Sequence, residues 1–309
     1  MNVYLVKPPS VSILQEFYGA TGLKPNILIS MKEYFDNYKG LFKVVSEIKP
    51  YVNKFILDSG GFSTNDIKDK KTAEDMKNKY LIFIELYRNY IEKTFEYIFA
   101  FDYIYGNIDF NLNSDWYDEQ HSVNKMVVPV IHNIHNNTEV DRYSSYHPKH
   151  ISIGKCPDKT NVDFLKPVID EIRKKSKFHF LGVTAPKILT KIIVDNCDSK
   201  SWIDESKSGV LNYFYEDDKE IKQDNVHFPK YIDVKKSGAI LYEKYKNIEK
   251  IYEIGKIFGK VSEDFISGNQ QDTLMLCSIY NYMKLEELLS RYYKERDAIE
   301  MTKTLSYSL

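Results

Sequence analysis

Short apolar segments recur along the first two thirds of the chain, and most of them end at Gly, Pro, Asp or Asn. Runs of this length that are apolar or β-branched are typical of buried parallel strands. The segments are residues 3–6, 27–30, 54–57, 97–101, 126–131, 150–153, 178–183 and 202–203. The hydrophobic pattern therefore predicts about eight strands.

Helical patterns lie between these segments. The clearest covers residues 73–95, with Thr72 and Asp75 as its capping box. A second follows Pro167, a residue suited to a first helical turn, and a third covers residues 187–196. Strands that alternate with helices indicate a parallel α/β architecture, and about eight strands favour a (β/α)8 TIM-type barrel over an open sheet.

The pattern changes after the last predicted strand. Residues 205–236 are mostly polar and are predicted to form a loop with short strand-like pieces. The residues that follow have apolar side chains at helical spacing, for example Leu241 and Tyr245. We therefore predict a catalytic barrel over residues 1–236 and a helical C-terminal extension, packed on the barrel and without a zinc subdomain, over residues 237–309.

Composition changes this picture little. The chain has 309 residues, of which 43% are hydrophobic and 28% charged, as is ordinary for a soluble globular protein. Its net charge of −1 does not indicate a nucleic-acid-binding protein, but the sum could conceal a local basic face. Short basic clusters at residues 68–71, 173–177 and 235–236 are typical of solvated helix ends or loops. The apolar run in the first ten residues is too short for a signal peptide, and no apolar stretch is long enough to span a membrane.

The three cysteines, Cys156, Cys197 and Cys277, are far apart in the sequence. Structural zinc sites and disulfide frameworks need clustered or regularly spaced cysteines. We therefore expect no metal, no disulfide and a reducing compartment, the cytoplasm.

Reactive groups of a barrel gather at the carboxyl ends of its strands, so the residues after each apolar run are the candidates for chemistry. Two of them, Asp58 and Asp198, suit an acid/base and nucleophile pair, and we expect Asp198 to face solvent. Paired glycines after Asp58 would let a flat ring approach the backbone. Each feature alone is an ordinary turn or helix cap, and only the combination is specific. The candidates are Asp58, Asp102, His132, Gly154, Gly182 and Asp198.

This combination resembles the tRNA-guanine transglycosylase superfamily over residues 50–205. The sequence Asp-Ser-Gly-Gly-Phe at residues 58–62 is similar to the family's Asp-Ser-Gly-Gly-Phe/Tyr-Gln motif. Residues 181–186, Leu-Gly-Val-Thr-Ala-Pro, resemble its Met-Gly-Val-Gly-x-Pro segment. Residues 198–202, Asp-Ser-Lys-Ser-Trp, resemble the Asp-Ser-x-Ser-Trp segment of the DNA-directed relatives of these enzymes.

The resemblance implies a pentosyltransferase that exchanges bases. It implies that Asp198 is the nucleophile that attacks C1′ of a flipped nucleotide, and that Asp58 is the general acid/base. It further implies that Phe62 stacks on the exchanged base.

Four further positions would hold the base. The resemblance implies that Asp102 binds the guanine edge, that the Gly154 backbone contacts the base, and that Gly182 belongs to the same pocket. His132 stands where the family has a base-reading Gln, so the sequence departs from the family at this position.

A second departure concerns zinc. The tRNA enzymes carry a Cys-x-Cys-x-x-Cys…His site, but only Cys277 and His227 occur here beyond residue 205. This absence favours the zinc-free branch, which replaces guanine in DNA by a 7-deazaguanine (preQ0-like) base. The implied partners are DNA and the free base, in the cytoplasm of a bacterial or phage-infected cell, with no cofactor, metal or membrane.

Several alternatives stay open at the level of sequence. The chain could be a zinc-free transglycosylase that acts on tRNA, or a non-catalytic, partner-binding barrel of the same superfamily. It could also be an unrelated barrel enzyme acting on a small phosphorylated substrate, although it has no glycine-rich phosphate loop. Asp204, six residues after Asp198, is an alternative nucleophile. The incoming base, the target sequence and the oligomeric state are not specified.

Overall fold

A computed structural model describes residues 1–229 and 238–306 and contains one large parallel sheet. Its strands are β1 (Asn2–Val6), β2 (Asn26–Ser30), β3 (Phe55–Asp58), β4 (Ile98–Phe99), β5 (Val127–Val128), β6 (Val130–Ile131), β7 (His150–Ile153), β8 (Lys177–Phe180) and β9 (Asn196–Ser199). They are hydrogen-bonded in the order β5, β4, β3, β2, β1, β9, β8, β7, β6. Pro129 has no N–H to donate and separates β5 from β6, which are halves of one strand. The two ends of the sheet therefore meet, and the predicted (β/α)8 TIM-type barrel is confirmed.

Helices surround this sheet and bury their apolar faces against it. They are α1 (Val11–Thr21), α2 (Tyr38–Ile48), α3 (Lys70–Leu86), α4 (Arg88–Thr94), α5 (Phe110–Val123), α6 (Asn137–Ser145), α7 (Val162–Arg173), α8 (Pro186–Leu189), α9 (Ser201–Lys207), α10 (Ile248–Ile257) and α11 (Gln270–Ser306). Side chains of Ser, Asn or Asp accept amide hydrogen bonds at the first turns of α1, α2, α3, α5, α6 and α7. Of the helices in the described residues, none is long and apolar enough to cross a membrane.

Strand alternation directs polar side chains to one end of the barrel interior. The interior is filled by an apolar cluster of Tyr4, Leu28, Ile56, Tyr97, Phe99, Val128 and Val130. Successive side chains of a strand point to opposite faces, so Ser30, two residues after Leu28, and Asp58, two residues after Ile56, also point inward. Both lie at the carboxyl ends of their strands. We call this end of the barrel the mouth.

The prediction of the last strand was wrong. Residues 202–203 belong to helix α9, and the strand that completes the barrel is β9. Only Cys197 of β9 is apolar, while Asn196 and Asp198 hydrogen-bond to polar groups of neighbouring strands. A strand whose inward side chains are polar has no apolar run, so the hydrophobic pattern does not reveal it.

Three predicted helices also differ from the structure. The segment 73–95 forms two helices that break at Tyr87, and the first is capped by the carboxylate of Asp69, which accepts hydrogen bonds from the next amides. Pro167 lies inside α7 rather than in its first turn. The segment 187–196 contains only the single helical turn of α8, because the chain must return to start β9.

Beyond the barrel, the chain forms a hairpin and a long helix. The segment predicted as a loop contains strands β10 (Val210–Asp217) and β11 (Glu220–His227), which are antiparallel, and β12 (Ile240–Leu241) pairs with β11. Helix α11 reaches the amino-terminal end of the barrel, where the Glu286 carboxylate accepts a hydrogen bond from the Val3 amide at 2.7 Å. The predicted boundary between residues 236 and 237, and the basic cluster at 235–236, lie outside the described residues.

Candidate functional site

Three carboxyl groups lie together at the mouth. Asp58 ends β3, Asp198 lies in β9, and Asp102 follows β4. The pKa of Asp58 is raised to about 6, mainly by burial and in addition by the negative charges of Asp102 and Asp198. The charges of Asp102 and Asp198 thus act on Asp58, and a ligand pocket shared by Asp58 and Asp198 stays a prediction.

The Asp58 carboxylate accepts hydrogen bonds from a hydroxyl and from a backbone amide. The parallel register places Ser30 beside Asp58, and the Ser30 hydroxyl donates a hydrogen bond to Asp58 Oδ2 at 2.7 Å. This bond and one from the Gly60 amide favour the ionised carboxylate, but they do not outweigh burial and the neighbouring charges. Asp58 therefore holds a proton up to a higher pH than an ordinary aspartate.

Asp198 is fixed by a buried histidine. Nε2 of His179 lies 2.8 Å from Asp198 Oδ1, and His179 Nδ1 lies 2.6 Å from the Tyr97 hydroxyl. An ionised carboxylate can only accept, so Nε2–H donates to Asp198 and Nδ1 accepts from Tyr97. A neutral imidazole satisfies both bonds. Within the described residues no hydrogen bond engages Asp198 Oδ2, which leaves that oxygen for a ligand.

Asp102 is held by a second buried histidine. His132 Nε2 lies 2.5 Å from Asp102 Oδ2, and Nδ1 lies 3.1 Å from the Lys155 carbonyl oxygen. Both partners are acceptors when Asp102 is ionised, so both ring nitrogens must carry a proton. Burial lowers the pKa of His132, but the Asp102 carboxylate and the nearby Glu139 outweigh that effect and raise it. The surroundings of His132 therefore favour its protonated form.

Glycines make room for this arrangement. Gly60 has a φ of +85°, and a β-carbon built on Gly61 would lie 2.0 Å from Asp102 Oδ1. No larger residue than glycine fits at Gly61 unless Asp102 moves. The next residue, Phe62, is 71% exposed at the mouth, where its ring can be reached by a planar ligand.

The two remaining glycines lie on the next strands of the mouth. Gly154 follows β7, and a β-carbon there would lie 2.7 Å from a Val130 methyl group and 3.3 Å from the His132 ring. Gly182 follows β8, with a φ of +69° and open space around it. All seven residues that the sequence selected thus lie at the carboxyl ends of barrel strands.

Two details differ from expectation. Asp198 is only 5% exposed and does not face solvent. His132 is buried with both ring nitrogens engaged, so the geometry gives it a role in holding Asp102, and its direct contact with a base stays a prediction. The alternative nucleophile, Asp204, is exposed on α9 and forms an ion pair with Lys200 at 3.4 Å. The contacts therefore favour Asp198 over Asp204.

The groups that hydrogen-bond to the carboxyls are not among the predicted site residues. Ser30, Tyr97 and His179 lie within predicted strands, where they were counted only as strand residues. Glu139, on α6, accepts hydrogen bonds from the His132 and Asn133 amides at 2.8 and 3.1 Å. A polar residue within an apolar strand, such as His179 between Phe178 and Phe180, was the available signal.

Metal binding has no evident site in the part of the chain described. In residues 1–229 and 238–306, no group of three or more His, Cys, Asp or Glu side chains is arranged to hold a metal ion. The three cysteines are free thiols, and two of them are buried. The expectation of a zinc-free protein stays a prediction.

Comparison with known proteins bears on the fold. No protein-family model and no curated protein matches the chain. A structure described as a fructose-1,6-biphosphate aldolase from Coccidioides immitis is similar over 94% of this chain and 91% of its own, with a TM-score of 0.51 and 10% identity. An N-acetylneuraminate lyase from Mycoplasma synoviae covers 64% of this chain and 68% of its own, with a TM-score of 0.45 and 11% identity. At such low identity, the aldolase supports the TIM-type barrel and nothing finer.

Proposed function

We propose that the protein is a base-exchange glycosyltransferase that replaces guanine in DNA by a 7-deazaguanine base through a covalent Asp198–glycosyl intermediate. One observation supports this most strongly. Two carboxyls at one mouth have different surroundings, since the pKa of Asp58 is raised to about 6 and Asp198 Oδ1 lies 2.8 Å from His179 Nε2. Retaining glycosyl transfer uses two carboxyls, one as the acid and the other as the nucleophile.

The first half-reaction releases guanine. The target nucleotide is flipped into the mouth, because C1′ cannot be attacked within a stacked duplex. Asp198 Oδ2 attacks C1′ while the bond from C1′ to the guanine nitrogen breaks. Asp58 gives its proton to the departing base, which takes the electron pair of the broken bond. The products are neutral guanine, an ionised Asp58 and an ester between Asp198 and the sugar.

The second half-reaction installs the new base. Asp58, now ionised, removes the ring N–H proton of the incoming 7-deazaguanine. The resulting nitrogen attacks C1′, the ester bond breaks, and Asp198 recovers its electron pair as a carboxylate. Asp58 ends protonated, so the enzyme returns to its starting state without an oxidant or reductant.

Base recognition would rest on Asp102. Guanine and 7-deazaguanines present the same pair of N–H donors on one edge, and an ionised carboxylate accepts from such donors. His132 Nε2, 2.5 Å from Asp102 Oδ2, holds this carboxyl in place, and the lack of a side chain at Gly61 leaves room for Asp102 itself. Phe62 can stack on the ring of the base. One pocket would thus accept both the departing and the incoming base.

The choice of DNA rests on sequence. The Cys-x-Cys-x-x-Cys motif of the tRNA enzymes is absent, and residues 198–202 resemble the DNA-directed branch. The mouth itself would serve the same chemistry on tRNA, which is therefore the runner-up substrate. A non-catalytic barrel is disfavoured because the sequence retains both Asp58 and Asp198.

Nucleoside analysis tests the proposal. The protein is incubated with DNA or tRNA and preQ0, and the nucleic acid is digested and examined by mass spectrometry. We expect the 7-deazaguanine nucleoside in DNA with the wild-type protein and not with the Asp198→Asn variant. Incorporation into tRNA alone would assign the protein to the runner-up substrate, and incorporation into neither would contradict base exchange.

A further inference from the structure

Two lysines at the mouth form no ion pair with a carboxylate among the described residues, although the charge of Asp198 acts on Lys159. Lys155 follows Gly154, and its ammonium donates to Asn65 Oδ1 at 2.5 Å and to the Ile104 carbonyl at 3.2 Å. Lys159 donates to the Leu181 carbonyl at 3.3 Å. Both positive charges are therefore held by neutral oxygens.

The two side chains extend in opposite directions over the mouth. Lys155 starts beyond β7 and reaches the loops that follow β3 and β4, on the side of Asp102. Lys159 reaches the loop that follows β8, next to Asp198. Burial lowers the pKa of Lys159, and the charge of Asp198 opposes that effect, so the two groups interact. The ammonium groups thus lie on either side of the carboxyl cluster.

Some other lysines form ion pairs, whereas Lys54 also donates to a neutral oxygen, Asn2 Oδ1, at 3.2 Å. Lys79 contacts Asp36 at 2.6 Å, and Lys166 contacts Asp170 at 2.5 Å. Lys155 is exposed, whereas Lys159 is half-buried and its ammonium loses hydration that the Leu181 carbonyl oxygen replaces only in part. An anion that completes its hydrogen bonds would therefore be stabilised at this position.

We propose that Lys155 and Lys159 bind phosphate oxygens on either side of the substrate sugar that enters the mouth. This inference rests on the proposed function in assigning the phosphates to a nucleic-acid backbone. Lysine binds phosphate as a point charge, without the rigid geometry of arginine. The same pair would also suit the phosphate of a small phosphorylated metabolite, which the experiment separates from a backbone phosphate.

The test measures the salt dependence of DNA binding. Affinity of a fluorescent single-stranded oligonucleotide is measured by anisotropy over a range of salt concentrations for the wild type, Lys155→Gln, Lys159→Gln and the double variant. Each phosphate contact contributes about 0.7 to the slope of log affinity against log salt on single strands, so each substitution should reduce the slope by about that amount. Lysine-to-arginine variants should keep the slope. Lys175→Gln, exposed before β8 at the opposite end of the barrel, is the matched control and should not change it.

The outcomes separate this inference from the proposed function. A double variant that unfolds at the wild-type temperature and keeps the wild-type slope would overturn the phosphate assignment, and base exchange by the wild type would still stand. Calorimetry with inorganic phosphate tests whether the lysines bind the phosphate of a small phosphorylated metabolite instead. Phosphate binding that the double variant loses, in a protein that binds neither DNA nor tRNA, would confirm the lysine pair and overturn the proposed function.

Discussion

Replacing Asp58 with asparagine removes a carboxyl whose pKa burial and two neighbouring charges raise to about 6. Asparagine has nearly the same shape, and its oxygen can still accept the hydrogen bond from Ser30. The variant therefore loses the transferable proton but also loses the cost of a buried charge. We expect base exchange to slow by about 10²–10⁴-fold, while the protein becomes more stable at neutral and alkaline pH.

The size of the stability gain follows from the pKa. The folded-state value of about 6 lies about two units above the ordinary 3.8, and each unit corresponds to about 1.36 kcal/mol. The full difference is about 3 kcal/mol, and solvent at the mouth should reduce it to about 1–2 kcal/mol because Asp58 is half-buried. A raised pKa means that the folded state binds the proton more tightly. The loss of folding stability that Asp58 causes in the wild type is thus absent below about pH 4, grows as the pH rises to 6 and is complete above it.

Urea unfolding at pH 4 and pH 8 measures this difference. Asp58→Asn should be more stable than wild type at pH 8 and similar to it at pH 4. Asp204→Asn is the matched control, because this exposed residue contacts Lys200 at 3.4 Å and should change stability little at either pH. A variant that is less stable than wild type at pH 8, or equally stabilised at both pH values, would refute the electrostatic reasoning.

Two other substitutions test the surroundings of the carboxyls. Ser30→Ala removes a hydrogen bond that lowers the pKa of Asp58. Single-turnover guanine release falls as the pH rises, and the midpoint of this fall should move upward by up to about one pH unit in the variant. An unchanged or lower midpoint would exclude Asp58 as the acid. Gly61→Ala would place a methyl group 2.0 Å from Asp102 Oδ1, so base affinity should fall and unfolding should become easier by about 1–3 kcal/mol. Gly19→Ala, with open space around it on α1, is its control, and equal effects of the two substitutions would show that Asp102 is not the cause.

The apolar strands made most of the barrel and half of the site predictable. In β3, an apolar run ends in Asp58, and the following glycines have no role in a strand, so both the strand and the turn were visible in the sequence. Strand β9 was not visible, because its inward residues are the polar Asn196 and Asp198. Because the site residues of β9 are polar, this strand has no apolar run that would reveal it in the sequence.

The partners of the carboxyls could not be predicted from local sequence. Asp198 contacts His179, 19 residues away, and His179 contacts Tyr97, 82 residues away. Such pairs depend on the order and register of the strands, which the alternation of apolar residues does not specify. The raised pKa of His132 likewise follows only from the acidic groups that the fold places around its ring.

Trapping of the covalent intermediate tests the central claim most directly. The protein is mixed with a guanine-containing DNA oligonucleotide without an incoming base, quenched with denaturant, and examined by intact-protein mass spectrometry. We expect an adduct with wild type and with Asp204→Asn, and none with Asp198→Asn, which should remain folded because asparagine can still accept the hydrogen bond from His179. An adduct that persists in Asp198→Asn, or that is lost instead in Asp204→Asn, would contradict the assignment of Asp198 as the nucleophile.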